Sequence, residues 1–336
     1  GWRIQSLAGY DDLLFDVQIQ DSGLLLCGRK DLSDTMPESE LFVVRYNDDG
    51  SLDTSFGTSG MFTADMDPGH DIARAMLVQP DQSILLAGLL GENTNAASRD
   101  SDAFIMRLDE DGALDTTFGV GGVVVTDLGD NEGFRALALQ PDGNILAAGP
   151  GVGDHGQDLC VSRYLPDGTP DPAFGVGGTT CVHAGGDNEE LLALALQDDN
   201  RILACGYTGS DISDWDTDFV ILRLNTDGSL DTTFASGGYT VTDVGLLDSP
   251  GNMVYQDGVV TVGGKSNSGG YTQITLLRYV ASSLGLGGSD SDGNGNSDSS
   301  GAGSSGGGGC VADNSGNGAE VWLWLLSLLG PLTLLH

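Results

Sequence analysis

Five acidic residues recur at one phase of this chain. Asp12, Asp71, Glu132, Glu189 and Asp248 each stand eight residues before a glutamine: Gln20, Gln79, Gln140, Gln197 and Gln256. Carboxylates gathered at one level of a symmetric fold raise one another's pKa or recruit a cation. Five at a channel mouth would make a metal ring suited to Ca²⁺, the one cofactor the sequence suggests. The competing reading has each acid cap its own loop, with repetition following from the repeats themselves. Asp109, Asp111 and Asp115 resemble the start of a calcium loop, but Phe118 stands where the bidentate Glu should be. His70, His155, His183 and His336 stand apart, and neither HExxH nor GxSxG occurs. Gly151-x-Gly153-x-x-Gly156 has no helix after it, so it reads as a loop. No catalytic residue is assigned.

The elements that must position those acids come from a longer repeat. LFVVRYNDDGSLDTSFGTSG at 41–60 returns as AFIMRLDEDGALDTTFGVGG at 103–122, LCVSRYLPDGTPDPAFGVGG at 159–178 and FVILRLNTDGSLDTTFASGG at 219–238. A cut-off copy is ITLLRY at 274–279. A period near sixty residues marks a stacked or circular array. Each unit holds four short apolar runs bounded by Gly and Asp. One run ends in Gln, a tight turn follows, and the next ends in Ala-Gly or Cys-Gly, as in a hairpin. No amphipathic stretch of helical length exists. Four antiparallel strands per unit make a propeller blade. The chain opens on a strand that normally follows the motif and closes on one that precedes it. The expected fold is therefore all-β: a five-bladed β-propeller of four-stranded antiparallel blades over residues 1–280, closed by Trp2–Leu7 pairing beside Thr272–Tyr279. The recurring Arg45, Arg107, Arg163, Arg223 and Arg278 are expected to pair with Asp53, Asp115, Asp171 and Asp231. Phe56, Phe118, Phe174 and Phe234 are expected to plug the gaps between blades.

Composition narrows the partners. Forty-nine acids against thirteen bases give a net charge of −36. Nucleic acid and anionic membrane attract the opposite sign, so neither is expected as a partner. Fifty-three glycines fit a turn-rich β fold. Of five cysteines, Cys27 and Cys205 share one phase and read as small core residues. Cys160 and Cys181 fall on successive strands of one unit, where a disulfide can form. Residues 281–309 are Gly, Ser, Asp and Asn, a flexible linker. Residues 310–336 begin at Cys310 and carry the run VWLWLLSLLGPLTLL. As a helix that run spans about 22 Å, short of the ~30 Å hydrocarbon core.

The motif R-[YL]-x-x-D-G-x-x-D-x-x-F-G, the Q-[PD]-D turn and the [AC]-G ending resemble the delta-60 repeat family, bacterial exported proteins regarded as β-propellers. The resemblance covers residues 1 to about 280 and implies the fold and export, with no activity attached. The order of Gly-rich element, Cys310 and apolar stretch resembles the C-terminal sorting signals of exported Gram-negative proteins, lacking their basic tail. It makes Cys310 the processing or lipidation candidate. A GPI signal has a similar grammar, and an uncleaved short membrane helix is the plainest alternative. The expectation is an exported, surface-tethered, non-catalytic binding or scaffolding module with a protein or glycan partner. The loops Arg29–Glu40, Leu89–Asp102 and Tyr207–Asp218 would form its contact face. The alternatives are a loop-borne enzyme acting on carbohydrate or peptide, and a structural spacer.

Overall fold

The computed structural model describes residues 12–280 apart from 22, 33–37, 67–68, 93–100, 130–131, 154–155, 211–215 and 269–270. Trp2–Leu7, the linker 281–309, Cys310 and the apolar run after it lie outside the described residues, as do the tips of the three long loops. The described residues form strands and no helix.

The strands repeat with the motif. The first unit has β1 (Asp12–Gln20), β2 (Gly23–Asp31), β3 (Ser39–Tyr46) and β4 (Met61–Ala64). The second has β5 (His70–Val78), β6 (Ile84–Glu92), β7 (Asp102–Leu108) and β8 (Val123–Thr126). The third has β9 (Ala136–Leu139), β10 (Ile145–Gly153), β11 (Gly156–Tyr164) and β12 (Thr179–Val182). The fourth has β13 (Asn188–Leu196), β14 (Ile202–Gly209), β15 (Thr217–Leu224) and β16 (Tyr239–Thr242). The fifth has β17 (Ser249–Gln256), β18 (Val259–Ser268) and β19 (Tyr271–Val280). Within each unit neighbours pair antiparallel in chain order. A single parallel pairing, Ser39 with His70, joins the first two units into one sheet. β1 packs beside β5, β5 beside β9, β9 beside β13 and β13 beside β17. The units thus turn their first strands toward one another and their short fourth strands outward, the arrangement of a β-propeller. Many inner strands run to nine residues, longer than their apolar runs suggest, because the polar acid-bearing entry also pairs.

The core lies between units. Phe56, Phe118, Phe174 and Phe234 are fully buried. Each sits under the guanidinium of its own unit's arginine at 4.6–4.9 Å. Arg45, Arg107, Arg163 and Arg223 turn Nε to Asp53, Asp115, Asp171 and Asp231 at 2.7–2.8 Å. The same guanidinium reaches the next unit. Arg45 Nη1 donates to the Glu110 carbonyl at 2.7 Å and Arg107 Nη1 to that of Pro166 at 2.8 Å, while Arg163 bonds Thr226. Beside them the amides of Gly57, Gly119 and Gly175 donate to Asp111, Asp167 and Asp227 of the following Asp-Gly turns at 2.7–2.9 Å. The motif is therefore a clamp: one arginine braces its own turn, covers its own phenylalanine and holds the neighbouring blade.

Candidate functional site

The expected acids enter the first strands as anticipated, but they do not line the channel. Asp71, Glu132, Glu189 and Asp248 are buried and Asp12 is half-buried. Their carboxylates turn back to the loop that brings the chain in from the preceding unit. Asp71 accepts from the amides of Met66 and Gly91, and Glu132 from that of Leu128. Glu189 accepts from Ala184 at 2.9 Å, Gly186 at 2.9 Å and the Thr208 hydroxyl at 2.7 Å. Asp248 Oδ2 accepts from Val244 at 2.7 Å and Gly245 at 3.2 Å. A carboxylate three to five residues behind those amides satisfies donors that a buried turn would otherwise leave unpaired.

Each of three acids then meets residues of its own seam. Asp102, Asp127 and Glu132 form one group; Asp158, His183 and Glu189 a second; Asp218, Asp243 and Asp248 a third. Within each, one donor atom per residue lies within 4.8 Å of the others. None of these groups joins two of the five expected ring residues. In the second, His183 Nδ1 is 3.3 Å from Asp158 and 3.7 Å from Glu189. In the third, burial, then Asp243, Asp248 and Asp216, push the Asp218 carboxyl up to about 6.

The channel is lined three residues further on. Phe15, Arg74, Arg135, Leu192 and Gly251 all border one cavity of about 310 Å³ between the first strands of the five units. Each follows its unit's acid by three positions. Each is also an extra residue in its strand. The pairing register slips across Phe15, Arg74, Leu192 and Gly251. Arg135 stands at the same place just before β9, where its amide donates to Ala148 at 2.7 Å. A β-bulge re-aims a side chain in this way. Its partner is the recurring glycine of the second strand. A Cβ on Gly88 or Gly206 would sit 1.8 Å from the carbonyl oxygen of Ile72 or Glu190. Only glycine admits so close an approach, which is why Ala-Gly or Cys-Gly ends that run.

The five channel positions differ in chemistry although their surroundings repeat. The Arg74 guanidinium covers the Phe15 ring at 4.5 Å. Arg135 Nε pairs with Glu190, whose other oxygen accepts the Tyr207 hydroxyl at 2.7 Å. Burial, then the Glu190 charge, raises the Tyr207 phenol and keeps it protonated. Asp16 Oδ2 accepts the Met76 amide at 2.8 Å, tying the first unit to the second. At Gly251 an added Cβ would meet only the Gly263 oxygen at 3.6 Å, so this wall is open. Sequence reasoning missed this ring because a bulge is a property of pairing; the recurring glycine opposite it was the available signal.

Cys160 and Cys181 lie opposite each other on β11 and β12 and are joined by a disulfide. Cys27 and Cys205 are buried free thiols, each paired across from a bulge-flanking residue, Asp16 and Ala193. Among the described residues no helix is long and apolar enough to cross a membrane.

A family described as "Domain of unknown function (DUF5122) beta-propeller" matches residues 33–56, 79–118, 140–174 and 197–234. Each matched segment ends on or at the interblade phenylalanine of its unit. No curated protein matches the chain. Among solved structures, native Bacillus subtilis arabinanase is 14% identical, covering 82% of this chain and 97% of its own, with a TM-score of 0.45. A polysaccharide lyase acting on ulvan is 11% identical over 78% of this chain and 67% of its own, TM-score 0.45. Sqt1 from Chaetomium thermophilum is 12% identical over 82% and 71%, TM-score 0.40. At these scores the likenesses bear on neither activity nor ligand. The family match, with the strand arrangement, supports a β-propeller repeat protein.

Proposed function

We propose that this protein is an exported, surface-tethered binding module of the delta-60 type: a five-bladed propeller, closed by Trp2–Leu7, that recognises a glycan or protein through its channel without transforming it. Export and tethering rest on the acidic composition, the Gly-rich linker and the Cys310 segment. One observation carries the binding role. The clamp residues are alike from unit to unit, whereas the five bulged positions that border the cavity are Phe, Arg, Arg, Leu and Gly. A purely architectural ring would need no such asymmetry. A ring that contacts an asymmetric ligand does, because each contact point needs its own chemistry. Among the described residues that line the cavity Asp16 is the one acid, so no pair of carboxylates stands there, which favours recognition over hydrolysis.

The test is an array of neutral and uronate-bearing oligosaccharides probed with the full chain and with Gly251→Trp, which fills the open wall without backbone strain. Binding that the tryptophan abolishes supports the channel reading. Binding that survives it, or no binding to any oligosaccharide, overturns the glycan form of the proposal. Release of new reducing ends from a bound oligosaccharide would favour the enzyme alternative.

A further inference from the structure

Donors and acceptors are unevenly shared on the channel wall, and the imbalance selects a ligand class. Among the described residues, five polar side chains border the cavity: Asp16, Gln18, Arg74, Arg135 and Asn252. The acceptors of two are already engaged by the backbone. Asp16 Oδ1 accepts the Val17 amide at 2.7 Å and its Oδ2 the Met76 amide at 2.8 Å. Asn252 Oδ1 accepts the Met253 amide at 2.7 Å, so its NH₂ group is what it offers a ligand. The two arginines add donors alone, since a guanidinium has five N–H groups and no acceptor. Arg135 gives Nε to Glu190, and its buried Nη1 has no hydrogen-bond partner. Glu190 is fixed in turn by the Tyr207 hydroxyl at 2.7 Å, so the Arg135 fork is held in place before a ligand arrives. The Arg74 guanidinium lies over the Phe15 ring at 4.5 Å, and that ring is 37% exposed. The wall thus presents two cations beside an open aromatic face.

We propose, resting on the role of the channel as the binding site, that it recognises one carboxylate-bearing sugar, a uronate carried by a glycan. The carboxylate meets the guanidinium groups of Arg74 and Arg135, on neighbouring units, while Asn252 donates to a sugar hydroxyl and the apolar face of the pyranose lies on Phe15. A planar group with two oxygens matches the guanidinium fork. The cavity, about 310 Å³, is at the small end of ligand clefts and suits a short group. Charge points the same way: a net −36 repels an extended polyanion, so the two cations serve a single acid that enters between the units. An acidic peptide carries the same carboxylate, but its backbone N–H groups need acceptors that this wall has largely spent. A sugar hydroxyl can instead turn its lone pairs toward a donor.

The experiment is calorimetric titration of the full chain with two probes: a trisaccharide ending in one glucuronate, and the same trisaccharide ending in glucose. The glucuronate probe is expected to bind about tenfold more tightly, the worth of a charge-assisted hydrogen bond. Arg74→Gln and Arg135→Gln are each expected to reduce that ratio, and the double variant to bring it close to unity. Arg74→Lys, which keeps the charge and loses the fork, is expected to give an intermediate ratio. The ratio is read within one variant, which separates a lost contact from a lost fold. Equal binding of the two probes, blocked by Gly251→Trp, overturns acid recognition and leaves the channel as the binding site. Glucuronate binding that survives Gly251→Trp overturns both. A preference unchanged in the two arginine variants, tighter binding of a short glutamate-bearing peptide, or no heat with either probe overturns the proposal.

Discussion

The interblade clamp makes a quantitative prediction at two glycines that the sequence cannot tell apart. Gly50 and Gly112 occupy the same position of the same Asp-Gly turn, with φ of +79° and +82°. Alanine at either incurs the left-handed penalty of an L-residue, about 1 kcal/mol. They differ in what lies behind them. A Cβ on Gly50 meets nothing within 4 Å. A Cβ on Gly112 would lie 2.6 Å from two carbons of the Phe56 ring. That is about 1 Å inside normal carbon contact. Phe56 cannot retreat easily: it is fully buried, with Arg45 over its face at 4.7 Å and the Gly57 amide bonded to Asp111 at 2.7 Å. Overpacking of this sort costs about 1–3 kcal/mol. Gly50→Ala should thus destabilise by about 1 kcal/mol and Gly112→Ala by about 2–4 kcal/mol. Urea denaturation followed by tryptophan-independent far-UV signal measures both on one m-value. A double-mutant cycle with Phe56→Leu supplies the mechanism, since shortening the ring should return part of the Gly112→Ala loss and none of the Gly50→Ala loss. Equal destabilisation at the two sites, or no coupling to Phe56, would refute the clamp as the reason the glycine repeats.

Three further outcomes follow from the same geometry. Burial opposes ionisation of Asp231, but the Thr233 hydroxyl and amide, Arg201 and Arg223 together hold it down to about 2. Its folded pKa lies below the ordinary 3.8, so its contribution, about 2 kcal/mol, is present above about pH 4 and is lost as pH falls toward 2; Asp231→Asn should flatten that part of the acid-stability curve. Arg107→Lys should cost about 1–3 kcal/mol, because an ammonium cannot meet Asp115, cover Phe118 and reach the Pro166 carbonyl together, and thermal melts against Arg107→Met separate charge from geometry. Cys181→Ser opens a bridge spanning 21 residues and should destabilise by about 3 kcal/mol on loop entropy, read as a drop in urea midpoint that reductant produces in the parent but not in the variant.

Much of the architecture was legible because the sequence states it four times. The Arg-to-Asp spacing, the buried phenylalanines, the hairpins and the opposed Cys160 and Cys181 all follow from local pattern and period. The expected acid ring shows where such reading stops. Asp71, Glu132, Glu189 and Asp248 stand at the entry of each unit's first strand, and position alone would set them at the channel mouth. Whether a carboxylate faces a cavity or its own loop depends on which amides the incoming turn leaves unpaired. Those amides, at Met66, Leu128, Ala184 and Val244, belong to loops of different length and composition. Phe15 and Arg74 were invisible for a different reason. A single extra residue in a strand leaves composition and spacing intact, and it reverses the faces of everything after it.

In a repeat protein, agreement and disagreement between copies carry separate information. Arg45, Arg107, Arg163 and Arg223 agree because each meets a carboxylate and a ring, and the first three also a neighbouring carbonyl. The remaining arginines of the channel, Arg74 and Arg135, answer to no such common task, since Leu192 and Gly251 hold the same place without loss of the fold. In a chain of charge −36 a cationic side chain facing a cavity is a costly choice for solubility to explain, and stacking on Phe15 or pairing with Glu190 could be had on the surface. Their position at the bulge, opposite a glycine on which a Cβ would sit 1.8–2.2 Å from a carbonyl oxygen, keeps a guanidinium beside an apolar ring and an open wall. That combination suits an asymmetric partner with a polar end and an apolar flank.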